Sequence, residues 1–256
     1  MLLVIDAGNT NITLGVFDGE DLIAQWRMVT DHDKRSDEYA SDLRKLFASA
    51  NVDLGKIEAV VIASVVPPLD QTLKAVVHKC FELTPLFVNH AADTGLKILY
   101  DLPSEIGADR IVDAVAAVTK YGAPCIVVDF GTATTFNAVN AAREYLGGVI
   151  APGIMISAEA LFLRAAKLPR VEIKRPEKVI GTSTVGAMQS GIYHGYAGLV
   201  DGVLEKMIAE MNTQPRVIAT GGFAPLIANA SRFIEKVDAT LTLDGLRLVY
   251  ERTRQV

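Results

Sequence analysis

The feature that most limits how this chain can fold is a short pattern that occurs twice, about half a chain apart. The apolar run Leu2–Ile5 leads into a polar turn, DAGNTNIT, which begins at Asp6 and is followed by a second apolar run. The later copy, CIVVDFGTATTFNAV, begins its turn at Asp129, two residues before a glycine, as in the first copy. Continuous apolar runs suit strands buried on both faces, whereas Asp, Gly, Asn and Thr favour turns. The sequence therefore predicts two strand–turn–strand units in two repeated halves.

Charge and hydrophobicity limit the class of partner. Hydrophobic residues make up 50% of the 256-residue chain, enough for a sizeable core, and the 25 basic residues are outnumbered by 30 acidic ones, giving a net charge of −5. This balance argues against a nucleic-acid-binding surface or an anionic-membrane surface. We expect a small-molecule partner.

Cysteine content and apolar run length bear on location. The two cysteines, Cys80 and Cys125, are too few for a disulfide framework or a Cys-based metal site, and we expect both to be reduced core residues. The apolar start is interrupted by Asp6, which makes it too short for a signal peptide, and no apolar run approaches the ~18 residues of a membrane span. We therefore expect a cytoplasmic protein that does not associate with membranes.

The hydrophobic periodicity predicts the same order of elements in both halves. The first half shows three strands, a helix, a strand, a helix and a short strand; residues 89–107 have no clear period, and a helix follows from GADR. The second half restarts as a three-strand meander, followed by helix 153–166, a long helix 182–212, a strand at 216–220, and a helix, a short strand and a final helix 244–252. We therefore predict an α/β fold with two domains, residues 1–117 and 118–256, each a mixed five-stranded sheet with flanking helices.

Local signals define several boundaries. Ser36 is the expected cap of the first helix, and Pro67 and Pro68 are expected to end the strand that begins at Ala59, with the next helix spanning residues 69–81. In the long helix, Gly191, Gly195, Gly198 and Gly202 form a single stripe, and each costs helix stability unless it allows close backbone approach. We expect close helix packing there, within the domain or across a twofold dimer.

The repeated Asp-x-Gly turns suit an enzyme that binds nucleotide phosphates in a cleft between the domains. Phosphoryl transfer requires neutralisation of negative charge by cations and by N–H donors in glycine-rich turns. Because no Lys or Arg precedes Arg27, the first turn has no cationic side chain of its own. Metal ions held by Asp6 and Asp129 are the natural substitute. The alternative for either turn alone is a plain hairpin.

Seven blocks of sequence carry a resemblance to a known family: DAGNTNITLGVF, GADRIVDA, VVDFGTATTFNAV, GGVIAPGI, AKLPRVEI, TVGAMQSGIYHGYAGLVDG and ATGG. In this order, across nearly the whole chain, they resemble type III pantothenate kinases. That family belongs to the acetate-kinase, sugar-kinase, Hsp70 and actin superfamily. The resemblance implies duplicated ribonuclease H-like (actin-like ATPase) domains, a homodimer, and ATP-dependent phosphorylation of pantothenate, the first step of coenzyme A biosynthesis.

The resemblance also implies roles for individual residues. The loop that contacts ATP is Asp6, Ala7, Gly8, Asn9, Thr10, Asn11, Ile12 and Thr13, joined by Thr132, and Asp6 positions Mg²⁺ near the phosphates. Asp129 is the expected ligand of a monovalent cation, K⁺ or ammonium. Pantothenate is expected to contact Tyr100, Gly107, Ala108, Asp109, Arg110 and Thr184. Asp109 is the general base, and the helix N-terminus and Arg110 are expected to keep it ionised.

Each of these residues also has a structural interpretation. Asp109 is a carboxylate favoured in a first helical turn, and Arg110 is a helical partner of Asp113. Tyr100 alone suits a half-buried packing residue, and Thr184 suits a cap or first-turn residue. Gly221 and Gly222 form either a plain strand-to-helix turn or a contact to the nucleotide. The four histidines, His32, His78, His90 and His194, show no ligand spacing.

Two other functions fit the same pattern. One is a kinase for another small hydroxyl substrate, which a substrate panel with ATP consumption as the readout separates from a pantothenate kinase. The other is a nucleotide-binding accessory or regulatory protein without catalysis. That alternative predicts loss of the acids at the site, whereas Asp6, Asp109 and Asp129 are all present.

Overall fold

The apolar strand patterns of the sequence build two separate sheets. The computed structural model of the chain describes residues 1–254. The strands and helices, in chain order, are β1 (Leu2–Ala7), β2 (Asn11–Asp18), β3 (Asp21–Val29), α1 (Ser36–Ser49), β4 (Ala59–Ser64), α2 (Pro67–Phe81), β5 (Leu86–Phe87), β6 (Lys97–Ile98), α3 (Ala108–Tyr121), β7 (Cys125–Phe130), β8 (Ala133–Val139), β9 (Glu144–Pro152), α4 (Ile154–Arg164), α5 (Thr184–Met211), β10 (Arg216–Gly221), α6 (Ala224–Ala228), β11 (Lys236–Val237) and α7 (Leu241–Thr253). Short 3₁₀ turns occur at Leu54–Lys56 and Pro103–Glu105.

The chain forms two compact units, neither of them continuous in sequence. The first contains Met1–Gly95, Leu102–Ala116 and the C-terminal segment from Thr242, and the second contains Leu96–Asp101 and Ala117–Leu241. As domains, the ranges 1–117 and 118–256 remain a prediction. None of the helices within residues 1–254 is both long enough and apolar enough to cross a membrane.

The first unit is built on a five-stranded mixed sheet with the order β3-β2-β1-β4-β5. The meander β1-β2-β3 is antiparallel, whereas β4 and β5 continue from β1 in parallel. Residues Leu3, Ile5 and Ile62 are buried on the same core as Tyr39 and Phe47 of α1. The carboxyl ends of β1, β4 and β5 therefore lie at one edge of the sheet, where the polar turn after β1 begins.

The second unit repeats this plan with one additional strand. Its sheet has six strands in the order β11-β10-β7-β8-β9-β6, and β7-β8-β9 is an antiparallel meander flanked by parallel β10. The α/β fold is confirmed, and the five strands predicted in the second half are present as β7 to β11; the sheet also has a sixth strand, which was not predicted. The extra strand is Lys97–Ile98, from the segment predicted to be irregular, which pairs with β9 and is held by a 2.8 Å ion pair between Lys97 and Glu144. Two residues are too few to show a period.

Two helix starts differ from the predicted ones. Helix α1 begins at Ser36, so Arg35 and not Ser36 is the N-cap residue, and the Arg35 backbone N–H donates to the Glu38 carboxylate at 2.9 Å. Helix α2 begins at Pro67, and β4 already ends at Ser64. Proline is favoured at the first helical positions because N–H groups there have no acceptor within the helix, so the lack of an N–H in proline costs no hydrogen bond. The two prolines therefore start a helix and do not end a strand.

The glycine stripe of α5 does not pack closely within the described chain. A Cβ atom added at Gly191, Gly195, Gly198 or Gly202 would meet no atom of residues 1–254 within 4 Å. The expectation of close packing inside the domain is therefore wrong, and a contact across a dimer stays a prediction. Cys125 is buried, as predicted, and burial raises its pKa to about 12, whereas Cys80 is only partly buried against the first core.

Candidate active site

The first polar loop joins β1 to β2 as a closed turn. Asp6 is partly exposed near the end of β1, where it pairs with Thr13 on one side and Ala63 on the other. The Gly8 N–H donates to the Asn11 carbonyl at 3.0 Å, and this bond closes the turn. Of the eight loop residues predicted to contact ATP, Asn9 and Thr10 are exposed, whereas the side chains of Ala7 and Ile12 are fully buried. Those two side chains anchor the loop in the core.

The start of α3 lies next to this loop in the same unit. The Val65 N–H donates to the Ala7 carbonyl at 3.1 Å. Val65 in turn lies against Gly107, where an added Cβ would be 3.2 Å from the valine Cγ1 and only 2.4 Å from Asp109 Oδ1. The segment after β4 therefore connects the end of β1 to the Asp109 carboxylate. Glycine is required at position 107 because Asp109 occupies the space that a side chain would need.

The carboxyl group of Asp109 is largely enclosed, and burial raises its pKa above the ordinary range of an aspartate. The Arg110 N–H donates to Oδ1 at 2.8 Å, and the charge of Arg110 also acts to lower the pKa. Both of the expected stabilising influences are present, but burial outweighs them. The pKa of Asp109 therefore moves upward, the direction that makes an aspartate a stronger proton acceptor.

Arg110 is buried, with 6% of its surface exposed. It makes interactions within the chain, while its Nη2 atom is buried and forms no hydrogen bond with residues 1–254. Its alternative helical partner, Asp113, accepts a hydrogen bond of 2.7 Å from the Thr242 hydroxyl at the start of α7. A guanidinium with a buried donor atom beside Asp109 suits an anionic ligand.

The second polar loop joins β7 to β8 in the other unit. The Asp129 carboxylate lies between two glycines: an added Cβ would be 3.2 Å from Oδ2 at Gly131 and 2.4 Å from Oδ1 at Gly221. Gly221 has a φ of +88°, a backbone conformation that residues other than glycine rarely adopt. On the far side of the loop, a Cβ at Gly153 would overlap the Thr132 and Gly131 carbonyl oxygens. Gly153 was not predicted, because close backbone approach leaves no periodic signal in a sequence.

The remaining predicted residues, Tyr100 and Thr184, also belong to the second unit. Tyr100 is half-buried at the end of the β6 segment, with its ring centroid 6.4 Å from that of Tyr145 and its edge against Gly147. Thr184 is the exposed first residue of α5, and the N-cap is Ser183, whose hydroxyl accepts from the Gly186 N–H at 3.1 Å. Tyr100 is thus a half-buried packing residue and Thr184 a first-turn residue, as their structural interpretations predicted. Neither position conflicts with ligand binding.

The two loops offer oxygen ligands, the ligand type that Mg²⁺ and K⁺ prefer. Within residues 1–254, no group of three or more His, Cys, Asp or Glu side chains could hold a metal ion. Mg²⁺ in phosphate-transfer sites needs one or two carboxylates together with substrate phosphates, a role open to Asp6. A monovalent cation needs oxygen ligands, and Asp129 offers a carboxylate. A cavity of about 400 Å³ beyond β4 and β5 contains none of the predicted site residues; it is lined by Ser64, Asp70, Gln71, Lys74, Phe87, Val88 and Asn89.

Comparisons with known proteins agree with this arrangement. The sequence model of the type III pantothenate kinase family matches residues 2–206. A type III pantothenate kinase from Koribacter versatilis is 56% identical, covering 99% of this chain and 96% of the relative. Two solved structures share the fold. One, a Campylobacter jejuni protein assigned to the Baf family of transcriptional activators, is 19% identical with a TM-score of 0.61, covering 99% of this chain and 100% of that one. The other, from Sinorhizobium meliloti and assigned as a 2-dehydro-3-deoxygalactonokinase, is 12% identical with a TM-score of 0.57, covering 100% and 97%.

The match to the family and the identity to its members extend over most of the chain, and both polar loops and the GADR helix start lie within the matched residues. The chain belongs to the type III pantothenate kinase family.

Proposed function

We propose that this protein transfers the γ-phosphoryl group of ATP to the primary hydroxyl of pantothenate, giving 4′-phosphopantothenate in the first step of coenzyme A biosynthesis. The observation that carries this proposal is the neighbourhood of Asp109. A half-buried aspartate at a helix start, beside Arg110, lies next to the segment that is bonded to the end of β1. A base and an anion-binding turn in one unit are the parts that phosphoryl transfer to an alcohol requires.

Asp109 is the general base of this reaction. Its carboxylate accepts the proton of the pantothenate hydroxyl as the oxygen forms a bond to the γ-phosphorus, and the bond from that phosphorus to the bridging oxygen of ATP breaks to release ADP. The raised pKa of Asp109 strengthens its proton affinity. Gly107 keeps the space beside the carboxylate open, and the Arg110 N–H holds Oδ1 in one orientation.

The ATP phosphates contact the loop from Asp6 to Thr13, and Thr132 is a further contact to ATP. Asp6 would hold Mg²⁺, and Asp129 would hold K⁺ or ammonium. When bound, these cations supply the positive charge that the first loop lacks. The chain itself supplies N–H donors and hydroxyl groups, and the glycines at positions 8, 131 and 221 allow the backbone to approach the ligand.

Pantothenate contacts Tyr100, the run Gly107–Arg110, and Thr184 at the start of α5. The guanidinium of Arg110 suits the carboxylate of pantothenate, and Tyr100 offers an apolar ring with a hydroxyl at its tip.

We further propose that the protein is a homodimer and that it acts in the cytoplasm, where its co-substrate ATP is held. Exposed apolar side chains in the second unit support the dimer, among them Ile150, Leu163 and Ile180.

A purified-enzyme assay tests the function. ATP, Mg²⁺ and pantothenate are incubated with the protein in K⁺ and, at equal ionic strength, in Na⁺, and 4′-phosphopantothenate is quantified by mass spectrometry. We expect formation of the product in K⁺ and a large loss in Na⁺. Absence of product in both salts, with ATP consumed on another hydroxyl substrate, would contradict pantothenate as the acceptor.

The variant Asp129→Asn tests the cation site separately. Loss of the negative charge weakens cation binding, so the K⁺ concentration for half-maximal rate is expected to rise at least tenfold while the KM for pantothenate stays unchanged. An unchanged K⁺ response would remove Asp129 as the ligand.

A further inference from the structure

The first polar loop is braced by a residue outside the predicted site. Thr30 directly follows β3 and lies beside the loop across the β2–β3 hairpin. Its hydroxyl Oγ1 donates to the Gly8 carbonyl at 2.6 Å, and its backbone N–H donates to the Thr10 carbonyl at 2.9 Å. One residue therefore binds two carbonyl oxygens of the turn.

These two bonds fix the direction of peptide groups in the loop. A trans peptide unit carries its C=O and its N–H on opposite sides, so a carbonyl directed toward Thr30 turns the next N–H away from it. For the Gly8 carbonyl, that next group is the N–H of Asn9, an exposed residue in the turn. Anion-binding turns work by presenting N–H groups, whereas a carbonyl oxygen in the same place repels phosphate.

The segment that follows Thr30 is bonded to helix α1. The hydroxyl of Tyr39, a buried residue of α1, accepts from the Asp31 N–H and donates to the Asp31 carbonyl, both at 2.9 Å. Lys34 lies over the Tyr39 ring and forms an ion pair of 2.5 Å with Asp42. The segment between β3 and α1 is therefore fastened to a helix of the core by bonds separate from those that Thr30 makes to the turn.

We propose that Thr30 is a positioning residue for ATP, which orients the Gly8–Asn9 peptide so that its N–H faces the phosphates. This inference rests on the proposed function of the first loop. Thr30 does not touch the reacting atoms. Its hydroxyl keeps a carbonyl away from the phosphate side, and its loss allows that peptide to turn. The consequence falls on ATP binding and not on the acceptor substrate.

The test compares Thr30→Val, which keeps the shape of the side chain and removes the donor, with Thr30→Ser, which keeps the hydroxyl. Steady-state kinetics with the full-length protein are expected to show the KM for ATP rising about five- to tenfold in Thr30→Val, the effect of one lost hydrogen bond, with the KM for pantothenate unchanged. Thr30→Ser is expected to stay within about twofold of the wild type, by the same scale. Equal KM values for ATP in the two variants would overturn the proposal.

Tyr39→Phe is the matched structural control. It removes two hydrogen bonds from the same segment but leaves the bonds of Thr30 to Gly8 and Thr10 in place. Thermal unfolding is expected to show a loss of stability, with an unchanged KM for ATP. A rise in this KM equal to that of Thr30→Val would assign the effect to a loosened segment and contradict a specific role of the hydroxyl.

Calorimetric titration with a non-hydrolysable ATP analogue separates this inference from the proposed function. If the wild type binds the analogue but does not phosphorylate pantothenate, the proposed function fails, and the inference is still tested by the loss of affinity in Thr30→Val. Unchanged analogue affinity in that variant would refute the inference even if pantothenate is the substrate.

Discussion

At the scale of single residues, Asp109 illustrates how its proposed catalytic role opposes stability. Its pKa is raised by burial, which means that the folded state holds the charged form less well than water does. For an acid of this kind, the favourable contribution is complete below the unfolded-state pKa and is lost as pH rises through the folded-state pKa. Where Asp109 is ionised, it therefore lowers the free energy of unfolding.

The substitution Asp109→Asn follows from this sign. We expect phosphorylation of pantothenate to fall at least a thousandfold, about the size of a lost base, while the melting temperature at pH 7 rises. The stability difference from the wild type is expected to shrink as pH is lowered, because the wild-type carboxyl group then becomes neutral. Thermal melts followed by circular dichroism at pH 7 and pH 4 measure the melting temperatures of the two proteins, and the phosphorylation assay measures the rate. Turnover like that of the wild type would remove Asp109 as the base, and a less stable variant at pH 7 would contradict the burial argument.

Thr134 offers a test that does not involve the reaction. It is fully buried in β8, and its hydroxyl makes no hydrogen bond within residues 1–254. A buried hydroxyl without a partner costs roughly 1–3 kcal/mol, and valine has nearly the same shape. We expect Thr134→Val to leave the protein equally stable or to stabilise it by up to about 1 kcal/mol in urea unfolding. Thr220→Val, at another buried threonine, is the control. A larger loss of unfolding free energy in Thr134→Val than in Thr220→Val would show that the Thr134 hydroxyl has a hydrogen-bond partner.

At the scale of elements, the sequence predicted the helices and strands that show a periodic apolar pattern. It missed the features that depend on close contacts between distant parts of the chain. The meanders, the long helix α5 and the helix that carries Asp109 show strong apolar patterns, and their predicted and observed ranges agree closely. The two-residue strand β6 has no period, and its pairing with β9 depends on partners far along the chain. At the site, Asp109 and Asp129 lie in sequence motifs. By contrast, Gly153 and Val65 matter because backbones and side chains meet there in three dimensions.

Helix α7 packs at one glycine on helix α3, which carries Asp109. A Cβ at Gly245 would lie 2.1 Å from the Val112 carbonyl oxygen, one turn after Asp109, and backbone cannot move aside locally. We expect Gly245→Ala to destabilise the protein by about 1–3 kcal/mol and to reduce kcat, because α3 must shift. Gly191→Ala, in open space on α5, is the matched control and is expected to be neutral or stabilising in the same urea titration. Equal stability of the two variants would contradict the close contact.

At the scale of the whole molecule, exposed apolar side chains concentrate in the second unit. Met155, Ile156 and Leu163 project from α4, and Val179 and Ile180 precede α5; Ile180 is 82% exposed. The four stripe glycines of α5 also face open space. Patches of this kind mark interaction surfaces, and homodimers with twofold symmetry are the commonest assembly. The proposed homodimer places a second copy of the chain on this surface.

Gly195→Leu tests whether the glycine stripe lies in that interface. In an isolated chain the added side chain enters open space, and replacing a helical glycine stabilises the helix by up to about 1 kcal/mol. Across a closely packed dimer the same side chain holds the two backbones apart, so we expect sedimentation velocity to show a shift from dimer to monomer. Ala48→Leu, at an exposed position of α1 in the first unit, is the matched control and is expected to leave the dimer intact. A Gly195→Leu protein that remains a dimer of wild-type affinity would exclude the stripe from the interface, and a wild-type protein that sediments as a monomer would contradict the assembly itself.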